Sequence, residues 1–184
     1  IDSGQHAALS VGLREELEVR RPDVVLGGAD DVNSIPQALR WAARLGTVLL
    51  RRGEVRTDVF GGLGGICVVH GDTPSTLLST LMARQAGLEI AHLEAGLRSH
   101  SLWHPFPEEL IRVLVMRRSD LLFAPDEEAV TNLEAMGVDG EVVPLDANTV
   151  VEALRHDLAE VHAPGSGAAI VTLHRVENLG RRSR

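Results

Sequence analysis

From Ile66 onward the chain alternates short β-branched runs with longer stretches of helical spacing, and that alternation leaves few folds open to it. ICVVH (66–70) is a continuous apolar run, the pattern of a parallel strand buried on both faces. GDTPST then turns sharply, Thr73 or Pro74 opens a helix through about Gln85, and Gly87 ends it. LEIAHL (88–93), LLFAP (121–125) and EVVPL (141–145) read as the next three strands. Asp126 caps a helix to Met136 and Gly137, and Asn148 leads another to about Val161. APGSG (163–167) is a small-residue linker, after which AAIVTL opens a further strand ending at His174. Strands that alternate with helices build βαβ units, so the pattern predicts an α/β fold with a doubly wound parallel sheet.

Ahead of Ile66 the signals are weaker. Residues 6–20 have some helical periodicity, and Val24–Leu26 follows Pro22 as a short apolar run suited to a strand. Asn33 or Ser34 can cap a helix running through IPQALRWAARLGTVLLRR, with Pro36 near its first turn. Gly53 to Gly65 reads as a loop, and its glycines at 61, 62, 64 and 65 do not form the GxGxxG dinucleotide pattern.

Composition narrows the function classes. The net charge is −8, which argues against a sequence-independent nucleic-acid surface, because neutralising phosphates takes Lys and Arg. A nucleotide is still compatible, since backbone amides and one or two arginines hold it. The single Cys67 excludes an internal disulfide and fits a reducing cytoplasm. No apolar stretch has membrane-spanning length, so no membrane partner is expected. Tyrosine is absent and aromatics are 3%, which leaves the core to Leu, Val and Ala. The chain begins at Ile1 rather than Met and stops at RRSR, and is expected to be part of a longer protein.

The densest chemistry lies in HLEAGLRSHSLWHPFPEELIR (92–112), with carboxylates Glu94, Glu108 and Glu109, Arg98, Arg112 and three histidines. Pro105 and Pro107 precede a helix that has Glu108 in its first turn and Arg112 one turn on. In open parallel sheets ligands sit beyond the carboxyl ends of the strands. Asp72 follows the first strand of the series, Glu94 ends the second, and His174 ends AAIVTL, so the three are placed to converge. Taken singly, each has an ordinary structural use: a helix cap, a paired carboxylate, a core histidine. Acids and bases gathered in one cleft point to a site.

HGDTPST (70–76), AHLEAGLRS (91–99), PFPEELIR (105–112), LLFAPDEEAVTNLEAMGV (121–138), ANTVVEAL (147–154) and TLHRVEN (172–178), with SGQH (3–6), resemble the non-hydrolysing UDP-N-acetylglucosamine 2-epimerases. Thr73 favours that branch over the hydrolysing one, which tends to carry arginine there. The resemblance implies a GT-B-like fold of two Rossmann-like domains with the active site between them. Residues 1–162 would form the first domain without its leading strand, 163–167 a linker, and 168–184 the start of the second. It further implies interconversion of UDP-GlcNAc and UDP-ManNAc without NAD, metal or other cofactor. UDP leaves by anti elimination to give 2-acetamidoglucal and is then re-added. By motif, Asp72, Glu94 and Glu108 correspond to the catalytic carboxylates, with Arg112 and His174 as further active-site residues. Gln5, His6 and Arg175 correspond to positions linked to a regulatory UDP-GlcNAc. Arg98, Glu177 and Asn178 complete the candidate substrate or regulatory contacts, and a homodimer is implied.

These residue types suit the chemistry. Removing the C2 proton takes a base, returning it from the other face takes an acid, and a departing diphosphate takes positive charge from Arg112, Arg175 or His174. Which carboxylate serves which face is open; the expected arrangement has Asp72 and Glu94 on the proton transfers, with Glu108 orienting and Arg112 paired to it. Three segments depart from the family pattern, the glycine-rich insertion before Ile66 among them. Ala147 stands where GNT has glycine, which alters a turn, and Trp103 stands where a tyrosine is usual, which bears on the sugar pocket. A GT-B glycosyltransferase or a non-catalytic UDP-sugar binder are the competing readings. The carboxylate set weighs against both, and the chain alone is expected to be inactive.

Overall fold

The computed structural model describes residues 1–4, 11–12, 14–15, 18–27, 32 and 34–158. The chain divides into two units, Ile1–Thr149 and Val150–Arg184, and the sheet belongs to the first. Four parallel strands, β1 (Ile66–His70), β2 (Glu89–Leu93), β3 (Leu121–Ala124) and β4 (Glu141–Pro144), lie side by side in chain order. The helices are α1 (Ile35–Leu50), α2 (Pro74–Ala86), α3 (Glu108–Met116), α4 (Glu127–Met136) and α5 (Thr149–Leu158). This is the α/β architecture that the alternating pattern predicts.

The helix ends follow local chemistry. Thr73 Oγ1 accepts from the Thr76 amide and Asp126 Oδ1 from the Ala129 amide, so α2 and α4 start where their caps dictate. Gly87 and Gly137 take left-handed conformations and close the same two helices. Ser34 stands at the N-cap of α1 but makes no side-chain cap bond, and Asn33 lies outside the described residues.

Two apolar clusters fix the sheet between its helices. One joins Trp41 and Leu45 of α1 to Met82 and Ala86 of α2 and to Ile90 of β2. The other joins Met116 of α3, Leu122 and Ala124 of β3, and Ala129 and Leu133 of α4. Register sets what projects from the sheet's carboxyl end: His70 pairs with Leu93, so the two strands end level and the turns that carry Asp72 and Glu94 leave the same edge.

Two expectations need correction. Residues 53–65 are not one loop: helical turns over Arg52–Glu54 and Val55–Val59 bury Val55 and Val59, and only the glycine-rich stretch after Phe60 is irregular. The Val55–Val59 spacing puts both side chains on one helical face, a short-range signal that the neighbouring glycines mask. Val24–Leu26 contributes a single parallel bridge, Asp2 to Val25, rather than a strand. Of the helix expected over 6–20, residues 11–12 and 14–15 are helical and most of the remainder lies outside the described residues.

Gly96 shows how closely the turn after β2 meets α4. It has φ +88, and a Cβ there would stand 2.3 Å from the Ala129 carbonyl oxygen. Gly96→Ala therefore combines a backbone clash with a left-handed conformation that alanine resists, and should destabilise the protein by roughly 2–4 kcal/mol. Chemical denaturation checks this; an unchanged midpoint would mean that the turn has room to move away from α4.

Candidate functional site

The turn after β1 is built by hydrogen bonds that leave Asp72 at its tip. Thr76 Oγ1 donates to the His70 carbonyl at 2.8 Å, tying the first turn of α2 back to the strand end. His92 Nε2 lies 3.1 Å from the Gly71 carbonyl oxygen. A carbonyl only accepts, so Nε2 carries the proton and His92 Nδ1 is left bare; it is buried and without a partner among the described residues. Burial is the main cause that pushes the His92 imidazole down to about 4, and it is neutral at physiological pH. His92 is thus a buried prop under the Gly71–Asp72 peptide.

Glu94 leaves β2 in the left-handed region, with φ 59. For a glutamate that conformation costs of order 1–3 kcal/mol and persists only where surrounding contacts enforce it. The turn that follows supplies them. The Ala95 amide donates to the Phe123 carbonyl, the Gly96 amide to Met116 Sδ, and Asn132 Nδ2 donates to the Gly96 carbonyl. The Glu94 side chain is 14% exposed, with His70 Nε2 3.2 Å from Oε2 and the Thr149 hydroxyl donating to Oε1 at 2.5 Å. Burial alone raises the Glu94 carboxyl, but the bonds from Thr149 and His70 outweigh it and hold the carboxyl below its ordinary range.

The third part is a buried charge cluster at the start of α3. Glu109 is fully buried; Arg98 Nε meets its Oε1 at 2.5 Å, and its Oε2 accepts from the Ser99 amide at 3.1 Å and from Arg112 Nη1 at 3.1 Å. The other end of the Arg112 guanidinium reaches Asp72 Oδ2. Burial raises the Glu109 carboxyl, but the Arg98 bond, the Ser99 amide and both arginine charges carry it below its ordinary value. The expected pairing of Arg112 with Glu108 is therefore corrected: Arg112 joins Glu109, one position along the helix, to Asp72. The physical reason is burial, since the fully buried Glu109 must be charge-paired. Glu108 Oε2 is buried with no partner among the described residues.

The structure thus brings Asp72, Glu94 and Arg112 to the carboxyl end of the sheet, with Glu108 heading the same helix as Arg112. Arg98, expected as a ligand contact, pairs with Glu109 through its Nε. Gln5, His6, His174, Arg175, Glu177 and Asn178 lie outside the described residues. Between Ser99 and Glu108 the chain has cis peptide bonds before Pro105 and Pro107, and the Trp103 and Phe106 rings stack at 5.6 Å between centroids. Trp103 is 78% exposed. Ala147 is not among the described residues with positive φ, so its segment does without a left-handed residue at that point. Sequence reasoning missed His70, His92 and Thr149 as parts of the site. Its one available signal was a histidine in each of two otherwise apolar strands.

The architecture matches solved nucleotide-sugar enzymes. The structure of Methanocaldococcus jannaschii UDP-GlcNAc 2-epimerase in complex with UDP-GlcNAc and UDP superposes with a TM-score of 0.69 at 30% identity, over 86% of this chain and 41% of that one. The class is therefore the GT-B-like α/β proteins, of which this chain supplies one domain. The family model for UDP-N-acetylglucosamine 2-epimerase matches residues 1–184, and the chain belongs to that family. Among its relatives, the UDP-N-acetylglucosamine 2-epimerase of Neisseria meningitidis is 34% identical over 140 residues, covering 67% of this chain and 38% of the relative. That of Bacillus subtilis is 32% identical over 157 residues, covering 82% of this chain and 40% of the relative. The chain thus spans about two fifths of the length of these curated relatives.

The Glu109 cluster makes a stability prediction. Its carboxyl is depressed on folding, so its contribution is fully present above the ordinary glutamate value of 4.5 and is lost as pH falls through the depressed folded value. Glu109→Gln should cost about 3 kcal/mol at neutral pH by leaving Arg98 and Arg112 without their anion. It should also flatten the loss of stability below pH ~4.5. Denaturant unfolding from pH 3 to 7 reads both; parallel pH curves for the two proteins would remove Glu109 as the charge anchor.

Proposed function

We propose that the full-length protein interconverts UDP-GlcNAc and UDP-ManNAc. The observation that carries the reading is the gathering of Asp72, Glu94 and the Asp72-linked Arg112 at the carboxyl ends of β1 and β2, in a chain of the 2-epimerase family. Glu94 is the proton acceptor in this reading, because its hydrogen bonds keep it ionised. The C2–H electron pair becomes the C1–C2 double bond of 2-acetamidoglucal, and the C1–O pair leaves with the UDP diphosphate. Asp72 serves the opposite transfer: carrying a proton taken up from solvent, it returns that proton to C2 from the other side before UDP re-adds, and Glu94 passes its proton to solvent to close the cycle. No net oxidation occurs, so the cycle draws on no redox cofactor. Glu108, with one buried oxygen that has no partner among the described residues, orients the sugar.

The segments outside the described residues complete the proposal. His174 and Arg175 contribute positive charge toward the diphosphate, and Gln5, His6 and Arg175, with Glu177 and Asn178, serve substrate or a regulatory UDP-GlcNAc. A division of the chain near 163–167 into a first Rossmann-like domain and the start of a second belongs to the same reading. So do a homodimer and a cytoplasmic setting. No described helix is long and apolar enough to cross a membrane.

Incubating the full-length protein with UDP-GlcNAc in D2O and following the sugar by NMR tests the reaction. Deuterium at C2 with UDP-ManNAc appearing and little net UDP released is the expected result; free ManNAc with UDP would assign the hydrolysing reaction instead. Asp72→Asn and Glu94→Gln should each keep UDP-sugar binding and lower turnover roughly 10²–10⁴-fold. Near-normal turnover in both would take these residues out of the chemistry.

A further inference from the structure

We infer that Thr149 and His70 are positioning residues for Glu94, each holding one oxygen of its carboxylate so that its plane is fixed at the end of β2. The inference deepens the epimerase reading and rests on it for the role given to Glu94. Three observations carry it. Thr149 is the first residue of α5, and its hydroxyl donates to Glu94 Oε1 at 2.5 Å across 55 residues of sequence. His70, the last residue of β1, stands 3.2 Å from the other oxygen. Glu94 itself has φ 59, so its side chain departs from the direction a strand residue would take and needs contacts outside its own strand to hold it.

The two contacts divide the work. A carboxylate has about four acceptor sites, and one donor on each oxygen leaves the others for a ligand proton while stopping rotation about the terminal torsion. Donors to the charged form also keep it charged. The groups acting on Glu94 come from three elements: His70 on β1, His92 two residues back on β2, and Thr149 on α5. Of these, His92 is occupied by the Gly71 carbonyl, which leaves Thr149 and His70 as the direct holders. His70 is 54% exposed on its side chain, so it meets Glu94 from the open side, whereas Thr149 is half-buried. Neither residue needs to touch the reacting atoms.

The test uses the full-length protein and two readouts. Selective 13C labelling of glutamate carboxyls, with Glu94→Gln to assign the signal, follows the titration of Glu94. Thr149→Val and His70→Ala should each move that titration to higher pH, and Thr149→Ser should restore it. In steady-state kinetics Thr149→Val should lower kcat roughly tenfold to a hundredfold with little change in KM, again recovered by Thr149→Ser. An unmoved Glu94 titration in both Thr149→Val and His70→Ala overturns the inference, whatever the turnover. So does a shift that Thr149→Ser fails to reverse. A wild-type protein that turns over no UDP-sugar while Glu94 titrates as expected would overturn the epimerase reading and uphold the positioning. Should Thr149→Val fail to fold, Thr149→Ser against His70→Gln, judged by the same titration, decides it.

Discussion

A carboxylate withdrawn from water must be paired, and in this protein that demand falls on Glu109. Its two oxygens take Arg98, the Ser99 amide and Arg112, so the turn after β2 is clamped to the first turn of α3. Arg112 has donors to spare and spends them on Asp72, which carries the constraint across to the turn after β1. One buried charge therefore sets the spacing of three segments that are distant in sequence. The planar, forked guanidinium of Arg112 makes this possible, because a lysine would offer only a point charge to two carboxylates.

The two strand ends solve the same problem in opposite ways. At β1 the strain is small: a glycine with φ 75 and a threonine cap make the turn, and a neutral His92 steadies its peptide from below. At β2 a glutamate is held in the left-handed region, and the cost is offset by the backbone and side-chain bonds around Ala95 and Gly96. Strain of that kind collects at functional sites, where the geometry of one side chain matters more than local stability. Glu94 is thereby kept ionised and aimed, while Asp72 is balanced by Arg112.

The fold was legible because its signals are local. Continuous β-branched runs, the Thr73 and Asp126 caps and the Gly87 and Gly137 stops each act within one turn of chain. The helical turn at Val55–Val59 was hidden because neighbouring glycines outweigh a two-residue apolar spacing. In the site, Asp72 and Glu94 were legible by position, since a residue that ends a parallel strand faces the ligand side of the sheet. Between Glu108 and Glu109 the sequence offered no choice: both sit in one helical turn, both precede Arg112 at a workable spacing, and only burial separates them.

By itself, then, the sequence determined a parallel α/β sheet, its helix boundaries, and which acids stand at the strand ends, because periodicity and turn chemistry are properties of short segments. Only the tertiary structure decided the partners. Asp72 meets Arg112 across 40 residues and Glu94 meets Thr149 across 55, distances over which no propensity reaches. The first pair exists because the assembled core removes Glu109 from water and holds Arg112 beside it. Desolvation is a property of the assembled core and is carried by no single stretch of the chain.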